Sequence, residues 1–299
     1  MIKVNPRVPA GCLAVLCTLC LAGSALAKPQ VVEPAAQPFR VGDLSVFALR
    51  DADNVLENDG KVLGVKVGAA AVAEVLKRAG APTDKVSLGV DALLVKAPDR
   101  TMLFDTGLGP GAHGALMGSL AETGVSPGYI TDVFITHSHG DHVGGLLTAS
   151  GTLAFPNAAI HLSANEWAWM QAQPNNQAIA KAIAAKVVTF EPDVAVLPGV
   201  RAIALAGHTP GHVGYAITSG GAEIIDIGDT AHSAIVSLAK PDWAIGYDND
   251  ESEGEVTRAA ELKRLADSKA LLFAPHFPFP GVGHVVAKDG AFAWQPGLP

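Results

Sequence analysis

From Leu44 onward the chain is written in short apolar runs punctuated by turn residues. Leu44–Leu49 reads as a strand. Ala92–Lys96 and Thr101–Asp105 read as a hairpin turned on Pro98-Asp99. Asp132–Thr136 has the unbroken apolar character of a strand covered on both faces. Val200–Ala206, His212–Thr218 and Ala222–Asp226 are three more strands, joined by Thr209-Pro210-Gly211 and Ser219-Gly220-Gly221. Late strands are predicted at Leu271–Ala274 and Val285–Lys288. Helical spacing lies between them. Val67–Ala79 is one helix, with Gly80 as its stop. Ser163-Ala164-Asn165-Glu166 spells a capping box that opens a second, through Gln171. Asn176–Lys186 and Glu255–Ala266 are two more. Many strands and fewer helices predict a layered α+β fold. With no internal repeat and no linker, residues 39–299 are expected to form one domain.

The start of the chain has a different pattern. Lys3 and Arg7 precede the apolar run Leu13–Leu21, and Ala25-Leu26-Ala27 offers a small-x-small cleavage pattern. Residues 1–27 are therefore expected to be a signal peptide, and the protein exported, either periplasmic or secreted. The apolar run falls short of the roughly 20 residues that span a bilayer. Nothing later approaches that length, so no stable membrane insertion is expected once the leader is cleaved. Pro29, Pro34 and Pro38, with no periodic pattern among them, predict an extended tether over residues 28–38.

Composition narrows the chemistry. Cys12, Cys17 and Cys20 are the only cysteines and all lie in the leader. The chain beyond the leader therefore has no disulfide and no thiolate to bind a metal or attack a substrate. The formal net charge is −8, and Lys3 and Arg7 of the leader are among the cations counted in it. An acidic chain of this kind is a poor partner for nucleic acid. The expected partner is a small-molecule substrate, and the oligomeric state is open, with a homodimer among the options.

Any metal site must then be built from His and carboxylate. His137, His139, Asp141 and His142 lie directly after the strand at 132–136. His137 and His139 are two apart and can point the same way from extended backbone. Asp141 and His142 come after the turn and can face a second point. Such donors suit zinc and related divalent ions. The arrangement then recurs. Gly207-His208-Thr209-Pro210-Gly211-His212, Ile227-Gly228-Asp229-Thr230 and Pro275-His276 each come after a predicted strand. One His beyond a strand is commonly structural, whereas several in one chain are better explained by convergence on one site.

In this succession His-x-His-x-Asp-His, Gly-His-Thr-Pro-Gly-His, Gly-Asp-Thr and a late His, the chain resembles the metallo-β-lactamase superfamily. The resemblance implies a four-layer αββα sandwich with the site along one edge of its two sheets. Phe134–Leu147, Leu153–Asn157, Gly207–Tyr215, Gly228-Asp229 and Pro275–Val285 are similar to the methyl parathion hydrolase group of secreted enzymes. The likeness begins near residue 87 and is poor over residues 50–86. It implies that His137, His139 and His208 bind one ion, that Asp141, His142 and His276 bind another, and that Asp229 bridges them. Zinc is the default, although the same ligands accept manganese, cobalt or iron.

The activity so implied is hydrolysis of a lactone, ester or organophosphotriester by a hydroxide shared between two metals. Asp141 would shuttle a proton to the leaving group. A bridging Asp229 favours these substrates over β-lactams. The alternatives are a periplasmic β-lactamase and a non-catalytic metal-binding module, which would be expected to lack a ligand. Some lactonases of the superfamily place a Tyr three residues after the bridging Asp, and His232 stands at that offset. It is a candidate for holding the substrate carbonyl, against a plain structural histidine. Phe155, Trp167, Phe277 and Phe279 are candidates for an apolar substrate wall, with Tyr247 and Trp169 behind them. Trp167 and Trp169 cannot share one helix face, so at most one lines the site. His212 and His284 are expected to support ligands rather than bind metal.

Overall fold

The computed structural model describes residues 28–299, and the expected leader at residues 1–27 lies outside them. Two β-sheets face each other among the described residues. The first contains β1 (Lys28–Gln30), β2 (Ala36–Val41), β3 (Leu44–Glu57), β4 (Lys85–Lys96), β5 (Thr101–Phe104), β6 (Asp132–Phe134), β7 (Ala159–Ser163) and β8 (Val187–Phe190). Its order is β1-β3-β4-β5-β6-β7-β8, with β2 folded back on β3. The second contains β9 (Ala195–Leu197), β10 (Val200–Ala204), β11 (Val213–Ser219), β12 (Ala222–Asp226), β13 (Leu272–Phe273), β14 (Val282–Lys288) and β15 (Ala291–Pro296). These run in reverse sequence order across the sheet.

Each sheet is apolar on both faces because both are covered. In β4, Leu93 and Val95 face the second sheet, while Ala92 and Leu94 face helices on the outside. That outer layer is α2 (Leu116–Glu122), the short α3 (Gly140–Val143), α4 (Ala164–Ala172) and α5 (Gln177–Ile183). On the far side, Leu238 of α6 (Val236–Ala239) and Leu262 and Leu265 of α7 (Glu251–Ser268) cover the second sheet. Helix α1 (Ala69–Arg78) packs Val72, Val75 and Leu76 with Leu56, Val86 and Leu88 from the ends of β3 and β4. The result is the four-layer αββα sandwich.

The sheet-to-sheet core is anchored by aromatics at strand ends. Phe104 and Phe134 stack at 4.7 Å, and Tyr215 from the opposite sheet meets them edge-on at 5.4 and 5.3 Å. Burying each ring contributes roughly 1.5–3 kcal/mol. The Tyr215 hydroxyl donates to the Ile135 carbonyl at 2.7 Å, so the strand that leads into the His cluster is pinned across the sandwich.

Three sequence expectations are corrected. Residues 28–38 are not a tether, since Lys28–Gln30 and Ala36–Val41 pair with β3. Pro38 fits because β2 hydrogen-bonds only to β3, and an edge strand tolerates a missing N–H. Strand β3 continues past Leu49 to Glu57, through a bulge between Arg50 and Ala52. Its polar second half hides it. Helix α7 begins at Glu251, earlier than its apolar spacing suggests, because Asp250 accepts from Glu253 N at 3.0 Å as an N-cap. No helix among the described residues is long and apolar enough to cross a membrane.

Candidate metal centre

Loops leaving β6, β10, β12 and β13 reach the same edge of the sandwich, and they bring the predicted ligands to one carboxylate. Asp229 Oδ2 lies 3.0 Å from His276 Nε2, 3.1 Å from His232 Nε2, 3.2 Å from His208 Nε2 and 3.6 Å from His137 Nε2. Its Oδ1 lies 3.2 Å from His142 Nε2. His139 Nδ1 is 3.0 Å from His137 Nε2. Asp141 faces the other side, its oxygens 3.8 Å from His142 Nε2 and 3.7 Å from His276 Nε2. All seven residues expected to bind metal are therefore together, and His232 joins them.

The donors fall into groups that suit metal ions. The ligand atoms of His137, His139, His208 and Asp229 lie within 4.8 Å of one another, as do those of Asp141, His142 and His276. Asp229, His232 and His276 form a third such set. Several of these atoms are buried without a hydrogen-bond partner: His142 Nε2, His208 Nε2, both His232 nitrogens and Asp229 Oδ1. Buried lone pairs normally find partners, and an inward-facing set of orphans in a His/Asp cluster fits a divalent cation.

In four of the rings, His137, His142, His208 and His276, the opposite nitrogen is held from behind. His142 Nδ1 donates to Asp105 Oδ2 at 2.8 Å, His208 Nδ1 to Asp248 Oδ1 at 2.9 Å, and His276 Nδ1 to the Gly89 carbonyl at 2.6 Å. His137 Nδ1 meets Thr136 Oγ1 at 3.1 Å, and that hydroxyl donates to Asp105 Oδ2 at 2.8 Å. Each bond fixes the tautomer that leaves Nε2 free to bind metal. His212 supports Asp229 instead: its Nδ1 donates to the Leu205 carbonyl, and its Nε2 accepts from Asp229 N at 3.0 Å. Gly228 is required here, because a Cβ at φ +48° would fall 2.4 Å from His212 Nε2. His284 donates to the Ala270 carbonyl, outside the cluster.

Electrostatics divides the imidazoles. Burial, with the nearby His208, pushes His139 down to about 3, and burial with His142 holds His137 well below its ordinary value. Burial opposes charge on His208, yet Asp229 and Asp248 outweigh it and raise its pKa to about 9. Burial would likewise raise Asp229, but the surrounding rings, His142 first, hold its carboxyl well below the usual range. The centre is thus a carboxylate buried inside a ring of imidazoles.

A cavity of about 460 Å³ opens on the centre, lined by His139, Asp141, Asp229, His232, His276, Gly140, Gly246, Asn54, Leu88 and Tyr247. Of the six aromatic wall candidates Tyr247 is among them, and Phe155, Trp167, Trp169, Phe277 and Phe279 are not. Phe155 is buried beneath the outer helices, with Trp167 packed on the same cluster. Phe277 is fully buried behind the second sheet, edge-on to Trp294 at 4.9 Å. Phe279 packs against the inter-sheet core beneath the Arg50 guanidinium. Phe277 follows His276 directly, and its side chain faces away from the site into the core behind the second sheet. Of the helix pair, Trp169 meets His139 edge-on at 5.8 Å.

Sequence reasoning does not reach Asp105, Asp248 and Glu166. Asp105 stands at a strand end ahead of Thr106-Gly107, the same kind of signal that marks Asp229. Asp248 sits in an aperiodic polar loop and carries no signal. Glu166 reads locally as a capping-box residue, and Ser163 Oγ does accept from its N–H. Its carboxylate turns away, to Ser138 and Thr209.

The comparisons with known proteins agree with this geometry. The structure of AidC, a dizinc quorum-quenching lactonase in complex with its product, an N-acyl-L-homoserine, is 30% identical with a TM-score of 0.83, covering 88% of this chain and 98% of that one. The structure of the hydrolase AbOPH of the β-lactamase superfamily is 28% identical with a TM-score of 0.80, covering 89% and 98%. Metallo-beta-lactamase domain-containing protein 1 of Homo sapiens is 45% identical over 75 residues, which is 25% of this chain and 26% of that protein. The match thus spans about a quarter of this curated relative. Residues 87–276 match the family described as the Metallo-beta-lactamase superfamily, and the chain belongs to that family.

Proposed function

We propose that this protein is a dinuclear metal-dependent hydrolase that opens lactones, with aryl esters and organophosphotriesters as further substrates. The observation that carries the reading is Asp229, a carboxylate within reach of both ligand groups at once. His137, His139 and His208 would hold one ion and Asp141, His142 and His276 the other, with Asp229 shared. Two divalent ions, zinc by default, supply Lewis acidity that lowers the pKa of water and polarises the acceptor oxygen.

The chain's own groups do the rest. The Asp141 carboxyl is a quarter exposed and lines the cavity. Burial would raise it, but His142 and His276 outweigh that and keep it ionised. It can therefore take a proton and pass it to the leaving oxygen. His232 is almost completely buried, its ring parallel to His276 at 5.1 Å and its Nε2 beside Asp229. That placement supports a role in orienting Asp229. The likeness to AidC, whose bound product is an N-acyl-homoserine, favours lactones among the candidates. The leader pattern supports action outside the cytoplasm, on a small-molecule substrate.

The test is a panel on the purified protein: an acyl-homoserine lactone, a simple aryl ester, a paraoxon-type triester and a cephalosporin, with metal analysis alongside. We expect two metals per chain and fastest turnover of the lactone. Fewer than two metals after reconstitution, with no hydrolysis of any substrate, overturns the reading; turnover of the cephalosporin alone replaces it with a β-lactamase.

A further inference from the structure

Metal-centred hydrolysis with Asp141 as the proton carrier leaves two polar side chains of the cavity lining unused, Asn54 and Tyr247. Tyr247 is 37% exposed and lines the metal cavity beside Asp141, Asp229 and His276. Its ring lies 5.7 Å from that of His232, which is itself 1% exposed. Of this pair, Tyr247 is the one that meets solvent, and so the one that meets an incoming molecule. Among the described residues that line the cavity, it is the one whose side chain carries a hydroxyl; the remaining polar side chains there are the metal-centre groups and Asn54.

Its position is tightly built. On one side, Gly246 N donates to the Val62 carbonyl at 2.8 Å, and Leu63 bridges Ile245. Gly246 allows that approach, since a Cβ there would fall 2.2 Å from the Lys61 carbonyl oxygen. On the other side, Asp248 holds His208, and Asn249 N donates to the His208 carbonyl at 2.9 Å. Arg258, buried, binds Asp248 and the carbonyls of Pro241 and Trp243. The residues flanking Tyr247 are thus tied to the backbone and ring of an expected ligand. Burial, with the carboxylates of Asp141 and Asp229, raises the phenol above its usual value, so it keeps its proton.

We propose that Tyr247 is a catalytic residue: its hydroxyl donates a hydrogen bond to the acyl or phosphoryl oxygen on which negative charge builds during attack. This rests on the hydrolase reading. A preorganised donor in a partly desolvated site stabilises the transition state more than the ground state. The bond does not transfer the proton, so nothing else must balance it.

The test is Tyr247→Phe, which keeps the ring against His232 and removes only the donor. The substrates are matched pairs differing in C=O against C=S or P=O against P=S, chosen from whichever class the wild-type protein turns over. Sulfur accepts hydrogen bonds poorly. The expected result is a fall in kcat of about 10²-fold on the oxygen substrate, a much smaller fall on the sulfur analogue, and unchanged metal content. A phosphonate analogue of the attacked centre should also bind more weakly to the variant by calorimetry. A merely structural tyrosine would lower both members of the pair equally, and that result overturns the proposal, as does unchanged kcat/KM. A wild-type protein that is inactive on every substrate overturns the hydrolase reading instead, and the proposal with it.

Discussion

Asp248 accepts a hydrogen bond from Nδ1 of His208 at 2.9 Å, and so decides which nitrogen that ring turns to Asp229. Its other oxygen takes the buried Arg258 guanidinium at 3.2 Å. Asp248→Asn keeps an acceptor for His208 but loses the charge that both partners face. Metal affinity at the His137/His139/His208 group should fall roughly 10- to 100-fold, read by competition with a chromogenic chelator. Unchanged affinity would mean that the ring is oriented by packing alone. Asp248→Ala should be worse for the fold, because an unpaired buried guanidinium costs about 3–5 kcal/mol.

Metal uptake should release protons. In the metal-free protein, burial is overcome by Asp229 and Asp248, which raise His208 to about 9, so this ring is a cation at neutral pH. A metal needs it neutral. Apparent affinity should therefore rise with pH from neutrality towards about 9, with about one proton released from His208 and further protons from His142 and His276, which Asp229 also raises against burial. Calorimetry at pH 7.5 in buffers of different ionisation enthalpy measures the number directly. A heat independent of buffer would contradict the charge placed on His208.

The ligands are legible in the sequence because each stands just beyond an apolar strand, where residue type and position coincide. The strands themselves are legible where they are buried on both faces, as in β6 and β12. Strand β3 is not, because its second half carries Asp51, Asp53 and Asn54, and Asp51 spends its carboxylate on the Leu108 and Leu116 amides across the sheet edge. The substrate wall is misread for a related reason. Hydrophobicity marks Phe155 and Phe277 as buried, but whether a buried ring faces core or cavity depends on packing between distant elements. Asp248 reaches the centre from the loop between α6 and α7, and no local pattern records that return, although its neighbour Tyr247 is legible as an aromatic candidate.

Glu166 joins two ligand loops. Its Oε1 accepts from Ser138 N and Oγ at 2.7 and 2.6 Å, between the two leading histidines, and its Oε2 accepts from Thr209 Oγ1 at 2.6 Å, next to His208. Glu166→Gln places a donor where an acceptor is needed in a fully buried setting. We expect a loss of about 1–3 kcal/mol, seen as a lower urea midpoint at unchanged slope. Metal should be lost first from the His137/His139/His208 group, because that is the group whose two loops are tied together. Equal loss from both groups would mean that Glu166 supports the fold alone.

Far from the metals, Asp132 gives a clean pH dependence. Burial would raise its carboxyl, but hydrogen bonds from His161, Thr131 and Arg100 outweigh this and lower it from 3.8 to about 2. A carboxyl depressed in the folded state contributes stability that is complete above the unfolded value near 4 and lost as pH falls through the folded value. Because the partner Arg100 is 40% exposed and screened by solvent, that contribution is about 1–2 kcal/mol at neutral pH. Asp132→Asn should therefore lower the urea midpoint at pH 7 and at pH 5 by the same amount. The gap to the wild type should then narrow between pH 4 and pH 2.5, as the wild type loses its own ion pair with Arg100. A gap that stays constant over that range would show that Asp132 acts through hydrogen-bond geometry and not through its charge.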